Sequence, residues 1–163
     1  MDKEFYAEIL PDEKKGELLL GLDENPRIRY VYLGDPVDSK IVSCINIGGG
    51  LLLIGLNNQK RINSLELNIA RGYWQDLPDA QFRRPDPTLS GIVEFTNMNP
   101  IPVRTKCFDD LPLHIYTNQK LSGIKIEIGT FERASSAWLA ISDNCLVELL
   151  DNYLVGFWID FVE

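Results

Sequence analysis

Residues 45–56 read INIGGGLLLIGL, with three consecutive glycines between two apolar runs. A glycine-rich loop holds phosphate when a helix follows it, because the free N–H groups of the helix N-terminus then face the anion. Here residues 51–56 are apolar and include another glycine, and residues 57–60 (NNQK) have the composition of a turn. The stretch therefore predicts a strand over 41–47, a reversal at 48–50 and a returning strand, rather than a phosphate site.

Four longer segments share one plan, in which an apolar run, a short stretch rich in Asp and Asn, and a second run follow each other. These segments are residues 17–33, 51–69, 113–128 and 145–161. The pattern is typical of β-hairpins, because Asn and Asp tolerate left-handed backbone angles and bond their own backbone. Within the third segment, alternation predicts an inner face that consists of Ile124, Ile126 and Ile128.

The last segment predicts a long strand with one apolar face. Its predicted core face comprises Tyr153, Val155, Phe157, Ile159 and Phe161. The opposite face places Trp158 between a glycine and Asp160, an unusual mixture. Helical periodicity is weak throughout, and residues 137–141 also read as a strand. The chain is therefore predicted to be mainly β, a single-domain antiparallel β-sandwich over residues 1–163, built of hairpins with little helix.

A short similarity suggests two related halves. Residues 58–60 (NQK) recur as residues 118–120, and alternating apolar runs follow both. A duplication would give half-repeats at 9–75 and 95–161, but two hairpins can also resemble each other by chance because the same physics selects the same residues. Between the halves lies an irregular connection, residues 73–90, which begins YWQDLPDAQFRRPDP. Its prolines block regular pairing, so it is predicted to be a functional loop or a linker.

Charge limits the classes of partner. The chain has 16 Lys and Arg against 24 Asp and Glu, a net charge of -8. Nucleic acid and anionic membranes are disfavoured because both bind through Lys and Arg, whereas a basic protein is favoured. Residues 134–163 contain five acids and no Lys or Arg. Plain solubility is the alternative explanation of this acidity.

The cysteines and the N-terminal residues favour a cytoplasmic protein. The three cysteines, Cys44, Cys107 and Cys145, have no close spacing and sit beside apolar residues, so we expect buried free thiols in a reducing compartment. The first ten residues, MDKEFYAEIL, lack the features of a signal peptide. No apolar run approaches the roughly 20 residues that a membrane helix needs.

Candidate catalytic groups are sparse, so no enzymatic activity is predicted. His114 is the sole histidine and lies in the strand-like LPLHIYT, where a structural role is expected. No spacing supports a nucleophile that pairs His114 with a cysteine, and zinc would need three or four Cys or His ligands. Asp109 and Asp110 lack a calcium-loop pattern. We therefore predict no metal and no cofactor.

The first functional hypothesis is an inhibitor or immunity protein, of the bacterial kind, that neutralises a basic toxin or nuclease. An acidic face would steer the cationic partner and cover its active site. The predicted charges of that face are Asp143, Glu148, Asp151 and Asp160. Trp158 is the predicted aromatic anchor, and the rivals for that role are Tyr73 and Trp74.

The second hypothesis is a small-molecule or carbohydrate-binding β-domain. In this case the loop from Tyr73 to Arg84 would line a pocket, because aromatic and Arg side chains suit a sugar or an acidic ligand. Two further alternatives remain. One is an enzyme whose type no sequence motif identifies, and the other is an assembly role, such as a homodimer joined through sheet edges.

Overall fold

A computed structural model describes residues 5–11, 15–23, 30–97 and 105–161. About half of these described residues lie in strands, so the chain is mainly β, as predicted. The strands are β1 (Glu8–Leu10), β2 (Leu19–Leu22), β3 (Val31–Gly34), β4 (Ser43–Ile47), β5 (Leu52–Leu56), β6 (Ile62–Leu67), β7 (Gln75–Asp76), β8 (Leu89–Ser90), β9 (Ile92–Glu94), β10 (Thr105–Phe108), β11 (Leu113–Thr117), β12 (Gly123–Ile128), β13 (Ala137–Ser142), β14 (Cys145–Leu150) and β15 (Tyr153–Asp160). A short 3-10 turn covers Arg71–Tyr73. Within the described ranges, no helix has the length and apolar character needed to cross a membrane.

The strands form two large sheets and a ribbon. The six-stranded sheet has the order β10-β4-β5-β6-β3-β2, and the seven-stranded sheet has the order β7-β11-β12-β15-β14-β13-β8. The ribbon pairs β1 with β9. Isolated bridges link Tyr6, just before β1, to Tyr153 of the seven-stranded sheet, and Glu94 of β9 to Arg61, just before β6. One cluster of buried apolar residues takes members from both large sheets, as expected for a sandwich.

All four predicted hairpins are present. They are β2–β3, β5–β6, β11–β12 and β14–β15, each paired antiparallel. The turn of the first falls on residues 24–29, outside the described residues. The prediction of antiparallel pairing fails only at sheet edges among the described strands, where β10 with β4, β7 with β11 and β8 with β13 are parallel. None of these three pairs joins strands that are consecutive in the chain, so no hairpin turn fixes their relative direction.

The glycine reversal at 48–50 is also confirmed. It joins β4 to β5, which pair antiparallel, and its three glycines have φ values of 69°, 68° and 95°. Such angles are open to glycine but strain residues with a Cβ. The sequence needs three glycines here because all three positions are left-handed.

We expect Gly49→Ala to lower the free energy of unfolding by about 1–2 kcal/mol, the cost of a left-handed alanine. A methyl group at Gly49 would meet no atom within 4 Å, so the effect comes from the backbone alone. Gly72→Ala is the matched control, since it also has open space and no positive φ. Urea denaturation measures both, and equal stabilities of the two variants would contradict the expectation.

The similarity between the halves corresponds to a real pair of turns, shifted by one residue from the sequence match. Asn57 and Asn118 each accept, at the backbone carbonyl, an N–H from the residue three positions on, at 3.0 Å in both turns. Those residues, Lys60 and Leu121, have φ values of 62° and 51°. Each Asn Oδ1 also accepts the N–H of the residue four positions on, at 3.1 and 3.0 Å. The duplication itself stays a prediction.

The core face of β15 differs from the predicted alternation. Glu148 pairs with Gly156 and Leu149 with Leu154, which leaves Val155 as an extra residue. This bulge shifts the alternation by one position, so Leu154 joins the main core cluster and Val155 does not. The predicted inner face of β12 is confirmed, since its three isoleucines all belong to that cluster.

Residues 77–88 form a strap across the seven-stranded sheet. The strap connects β7 to β8, which lie at opposite edges of that sheet. Six interstrand spacings of roughly 4.8 Å make this a crossing of about 29 Å. The chain must therefore stay fairly extended, and the strap contains Pro78, Pro85 and Pro87, which favour extended backbone. The irregular loop of the sequence is thus a cover over one sheet, apart from one tight turn at Pro78.

Candidate functional site

The strap is held on the outer face of the sheet by an aromatic stack and an ion pair. Phe82 stacks on Trp158 with ring centroids 4.5 Å apart and an interplanar angle of 29°. Trp158 donates its Nε1–H to Asp160 Oδ1 at 2.8 Å, and Arg84 Nε donates to Asp160 Oδ2 at 2.8 Å. Trp158, Phe82, Ala140 and Leu146 make a second buried cluster. The sheet is therefore covered on both faces.

This cover changes the interpretation of the C-terminal hairpin. Trp158 is only 3% exposed, so its ring is not available on the surface for the aromatic anchor role that the sequence predicts. Asp160 is bound to Trp158 and Arg84 within the chain. From the alternation of β15 alone, this face looks like a surface, because the strap that covers it lies far away in the sequence. Arg84 and Asp160, for instance, are 76 residues apart.

Glu148 is likewise an interior group, at 2% exposure. Its Oε2 accepts from Arg133 Nη1 at 2.8 Å and its Oε1 accepts from Ser136 Oγ at 2.7 Å. Arg133 also donates to the backbone carbonyls of Val155 at 2.9 Å and Ile128 at 3.1 Å. A buried carboxylate is tolerated only when it is paired and hydrogen-bonded, and these contacts supply that pairing. Glu148 thus fixes the residues around Arg133 to the sheet.

The two remaining acids of the predicted face are exposed but far apart. Asp143 lies in the turn between β13 and β14, and Asp151 lies in the turn between β14 and β15. They sit at opposite ends of β14, a strand of six residues, so about 20 Å separates them. The structure does not bring the predicted acids together into one patch.

Tyr73 and Trp74 are adjacent in sequence but have opposite environments. Trp74 is 5% exposed and donates its Nε1–H to the carbonyl of Ile69 at 2.8 Å. The Arg71 guanidinium lies over the Trp74 ring, 5.6 Å from its centroid. Tyr73, in contrast, is 83% exposed. Trp74 therefore anchors this segment, and Tyr73 is the residue available to a partner or ligand.

Tyr73 borders a cleft of about 620 Å³, called the Tyr73 cleft below. One side is formed by Leu51, next to the glycine reversal, and by Asn68 beyond β6. The other side is formed by Gln75 and by the first half of β11, including His114. Since β7 pairs with β11 only at Tyr116 and Thr117, the start of β11 is open to this cleft.

The lining of the Tyr73 cleft is neutral and partly apolar. No Asp, Glu, Lys or Arg belongs to it among the described residues. Three of its polar groups make no hydrogen bond to the described part of the chain: the Tyr73 hydroxyl, the Gln75 amide and the His114 imidazole. The volume falls within the range of roughly 300–1,000 Å³ that is usual for ligand pockets.

His114 was expected to be a structural strand residue, and it does lie in β11. It is exposed, and its ring stacks with Tyr116 at a centroid distance of 6.5 Å. Sequence reasoning therefore missed His114 as a cleft residue. The alternation of LHIYT is a signal that could have found it, because it places His114 on the face of β11 opposite to the buried Ile115.

The structure does not place a cysteine beside His114. Cys145 belongs to β14, three strands away from β11, or about 14 Å at the usual spacing. Cys44 and Cys107 belong to the six-stranded sheet. Among the described residues, no group of three or more His, Cys, Asp or Glu is arranged to hold a metal ion.

The three thiols should differ in reactivity. Burial raises the pKa of the Cys145 thiol strongly, and desolvation also raises the pKa of Cys44. The prediction that all three thiols are buried is correct only for Cys145, because Cys44 is half-buried and Cys107 is exposed. Because the thiolate is the reactive form, we expect Ellman's reagent at pH 8 to modify Cys107 first and Cys145 only after unfolding. Rapid modification of native Cys107→Ser protein would contradict this order.

Comparison with models of protein families gave no match to this chain. Comparison with curated proteins also gave no match. The function is therefore inferred from the geometry and chemistry of the sites alone.

Proposed function

We propose that this chain is a non-catalytic binding protein that holds a neutral carbohydrate in the Tyr73 cleft. The observation that carries the proposal is an 83% exposed Tyr73 ring on the border of a 620 Å³ cleft without charged lining. The apolar C–H face of a sugar ring packs on an aromatic ring, which supplies contact area at little cost in side-chain entropy. Sugar hydroxyls can then bond to the Tyr73 hydroxyl, the Gln75 amide and the His114 imidazole.

A neutral ligand suits this cleft better than an acidic one. Arg71 is paired with Asp76 and lies over Trp74, and Arg84 is paired with Asp160. Neither guanidinium belongs to the lining of the Tyr73 cleft. An anion there would lose hydration without gaining a cationic partner, so it would bind weakly.

The inhibitor hypothesis rests on different residues. It is supported by the net charge of -8 and by the exposed Asp143 and Asp151. The cleft is preferred because several polar residues line one volume, whereas those two acids lie at opposite ends of β14. Association with a basic toxin or nuclease that slows steeply as salt rises would favour the inhibitor instead.

The proposal is tested with an array of neutral and acidic glycans, followed by calorimetric titration of the tightest neutral oligosaccharide. We expect Tyr73→Ala to weaken that binding at least about tenfold, which corresponds to about 1.4 kcal/mol of lost ring contact. Val37→Ala is the matched control, because Val37 is 93% exposed but does not line the cleft. Val37 precedes β4, whereas the glycine reversal beside the cleft follows β4. The affinity of Val37→Ala should equal that of the parent protein.

Tyr73→Phe separates the ring from its hydroxyl and should retain most of the affinity if stacking dominates. Because Tyr73 is exposed, both of its variants should keep their stability within about 0.5 kcal/mol. Binding of acidic glycans alone, or unchanged affinity in Tyr73→Ala, would contradict the proposal.

A further inference from the structure

The strap encloses a second, smaller pocket against the outer face of the seven-stranded sheet. Its volume is about 180 Å³, and it shares no lining residue with the Tyr73 cleft. Aromatic walls come from Phe82 on the strap and from Trp138 and Trp158 on the sheet. The pocket therefore offers flat apolar surfaces from two different layers of the fold.

Three charged residues line the same pocket, namely Arg83, Lys125 and Glu127. An ion-pair network joins Lys125 and Glu127 to two residues outside the lining, Arg133 and Glu148. Lys125 Nζ lies 2.9 Å from Glu127 Oε1, and Arg133 lies 3.6 Å from the other Glu127 oxygen and 2.8 Å from Glu148. Lys125 and Arg133 thus balance the two carboxylates. Arg83 lines the pocket as well, is exposed, and has no hydrogen-bonded or ionic partner among the described residues.

This leftover charge is unusual for the chain as a whole. The protein has a net charge of -8, yet the lining of the strap pocket has two cationic residues against one carboxylate, a local excess of one positive charge. The Arg83 guanidinium has five N–H donors in a planar fork that matches a carboxylate in a bidentate manner. Lys125 adds further donors, because one contact to Glu127 leaves part of its ammonium group available.

We propose that the strap pocket binds a small aromatic carboxylate. The flat ring of such a ligand packs beside Trp138 and the stacked Phe82, and its carboxylate accepts hydrogen bonds from Arg83 and Lys125. This site is independent of the neutral ligand proposed for the Tyr73 cleft.

The test is an NMR titration of the full chain with benzoate and with its neutral isostere benzamide. The three tryptophans give separate reporters, because Trp138 and Trp158 line the strap pocket and Trp74 does not. We expect benzoate to shift the indole N–H signals of Trp138 and Trp158 in a saturable manner and to leave that of Trp74 in place. Benzamide should bind at least about tenfold more weakly, because it lacks the charge-assisted bonds.

Two variants that each remove one exposed positive charge complete the test. Arg83→Ala should weaken benzoate binding at least about tenfold. Lys120→Ala, whose side chain is 78% exposed and lines a different pocket, should change it less than about twofold. The proposal is overturned if benzoate shifts neither indole, if benzamide binds equally well, or if both variants lose equal affinity. Tyr73→Ala should bind benzoate normally, so failure at one site is distinguishable from failure at the other.

Discussion

Replacing Arg133 with alanine should lower the free energy of unfolding by about 3–5 kcal/mol at pH 7, the usual cost of breaking a buried ion pair. The change leaves the Glu148 carboxylate at 2% exposure with Ser136 as its remaining hydrogen-bond partner. It also removes the donors that the carbonyls of Val155 and Ile128 use. Uncompensated charge, rather than lost attraction, is the main cause of the expected effect.

Urea denaturation measures this effect, and Arg61→Ala is its control. Arg61 pairs with Glu94 at 3.2 Å, but both side chains are over a quarter exposed. We therefore expect Arg61→Ala to lower the free energy of unfolding by at most about 1 kcal/mol. The double variant Arg133→Met/Glu148→Leu should recover much of the loss, because neither charge is then left buried alone. Equal losses of unfolding free energy in Arg133→Ala and Arg61→Ala would show that Glu148 is solvated and would contradict the buried ion-pair network.

Trp158→Ala should also lower the free energy of unfolding by about 3–5 kcal/mol, the range for removing a buried aromatic side chain. Trp158 supplies the ring on which Phe82 stacks and one of the donors to Asp160, so its loss also loosens the strap. Tyr73→Ala is the matched aromatic control, expected within about 0.5 kcal/mol because Tyr73 is 83% exposed.

Thermal and urea unfolding of both variants distinguish an interior Trp158 from the surface anchor that the sequence suggests. A surface anchor would leave stability unchanged on truncation and would weaken only the binding of a partner. We also expect faster proteolysis of the strap in Trp158→Ala, since its main apolar contact is gone. Equal stabilities of the Trp158 and Tyr73 variants would show that the outer cluster does not form.

The hairpins could be predicted because their signals are local. Alternation in β12 and the turn residues after β5 and β11 each act within a few positions, and the glycines at 48–50 require angles that other residues avoid. The same locality explains the error at β15, where one extra residue, Val155, shifts the alternation without any mark in the sequence.

The sites could not be predicted because they depend on distant segments. Glu148 looks like a surface charge until Arg133 is placed beside it, and Trp158 looks exposed until Phe82 covers it. The Tyr73 cleft needs Leu51 from the turn between β4 and β5 and His114 from the seven-stranded sheet, residues that no periodicity connects. Residues of the loop from Tyr73 to Arg84 border two separate pockets, and no pattern in the sequence indicates that division.

The most direct measurement for the central proposal is a ¹H–¹⁵N NMR titration of the chain with the neutral oligosaccharide that binds most tightly. We expect saturable shifts at Tyr73, Gln75 and His114, the lining residues whose polar side chains have no hydrogen bond within the described part of the chain. The indole signals of Trp138 and Trp158 should stay in place. Shifts confined to the turns at Asp143 and Asp151, or the absence of any shift at the cleft, would contradict a carbohydrate site beside Tyr73.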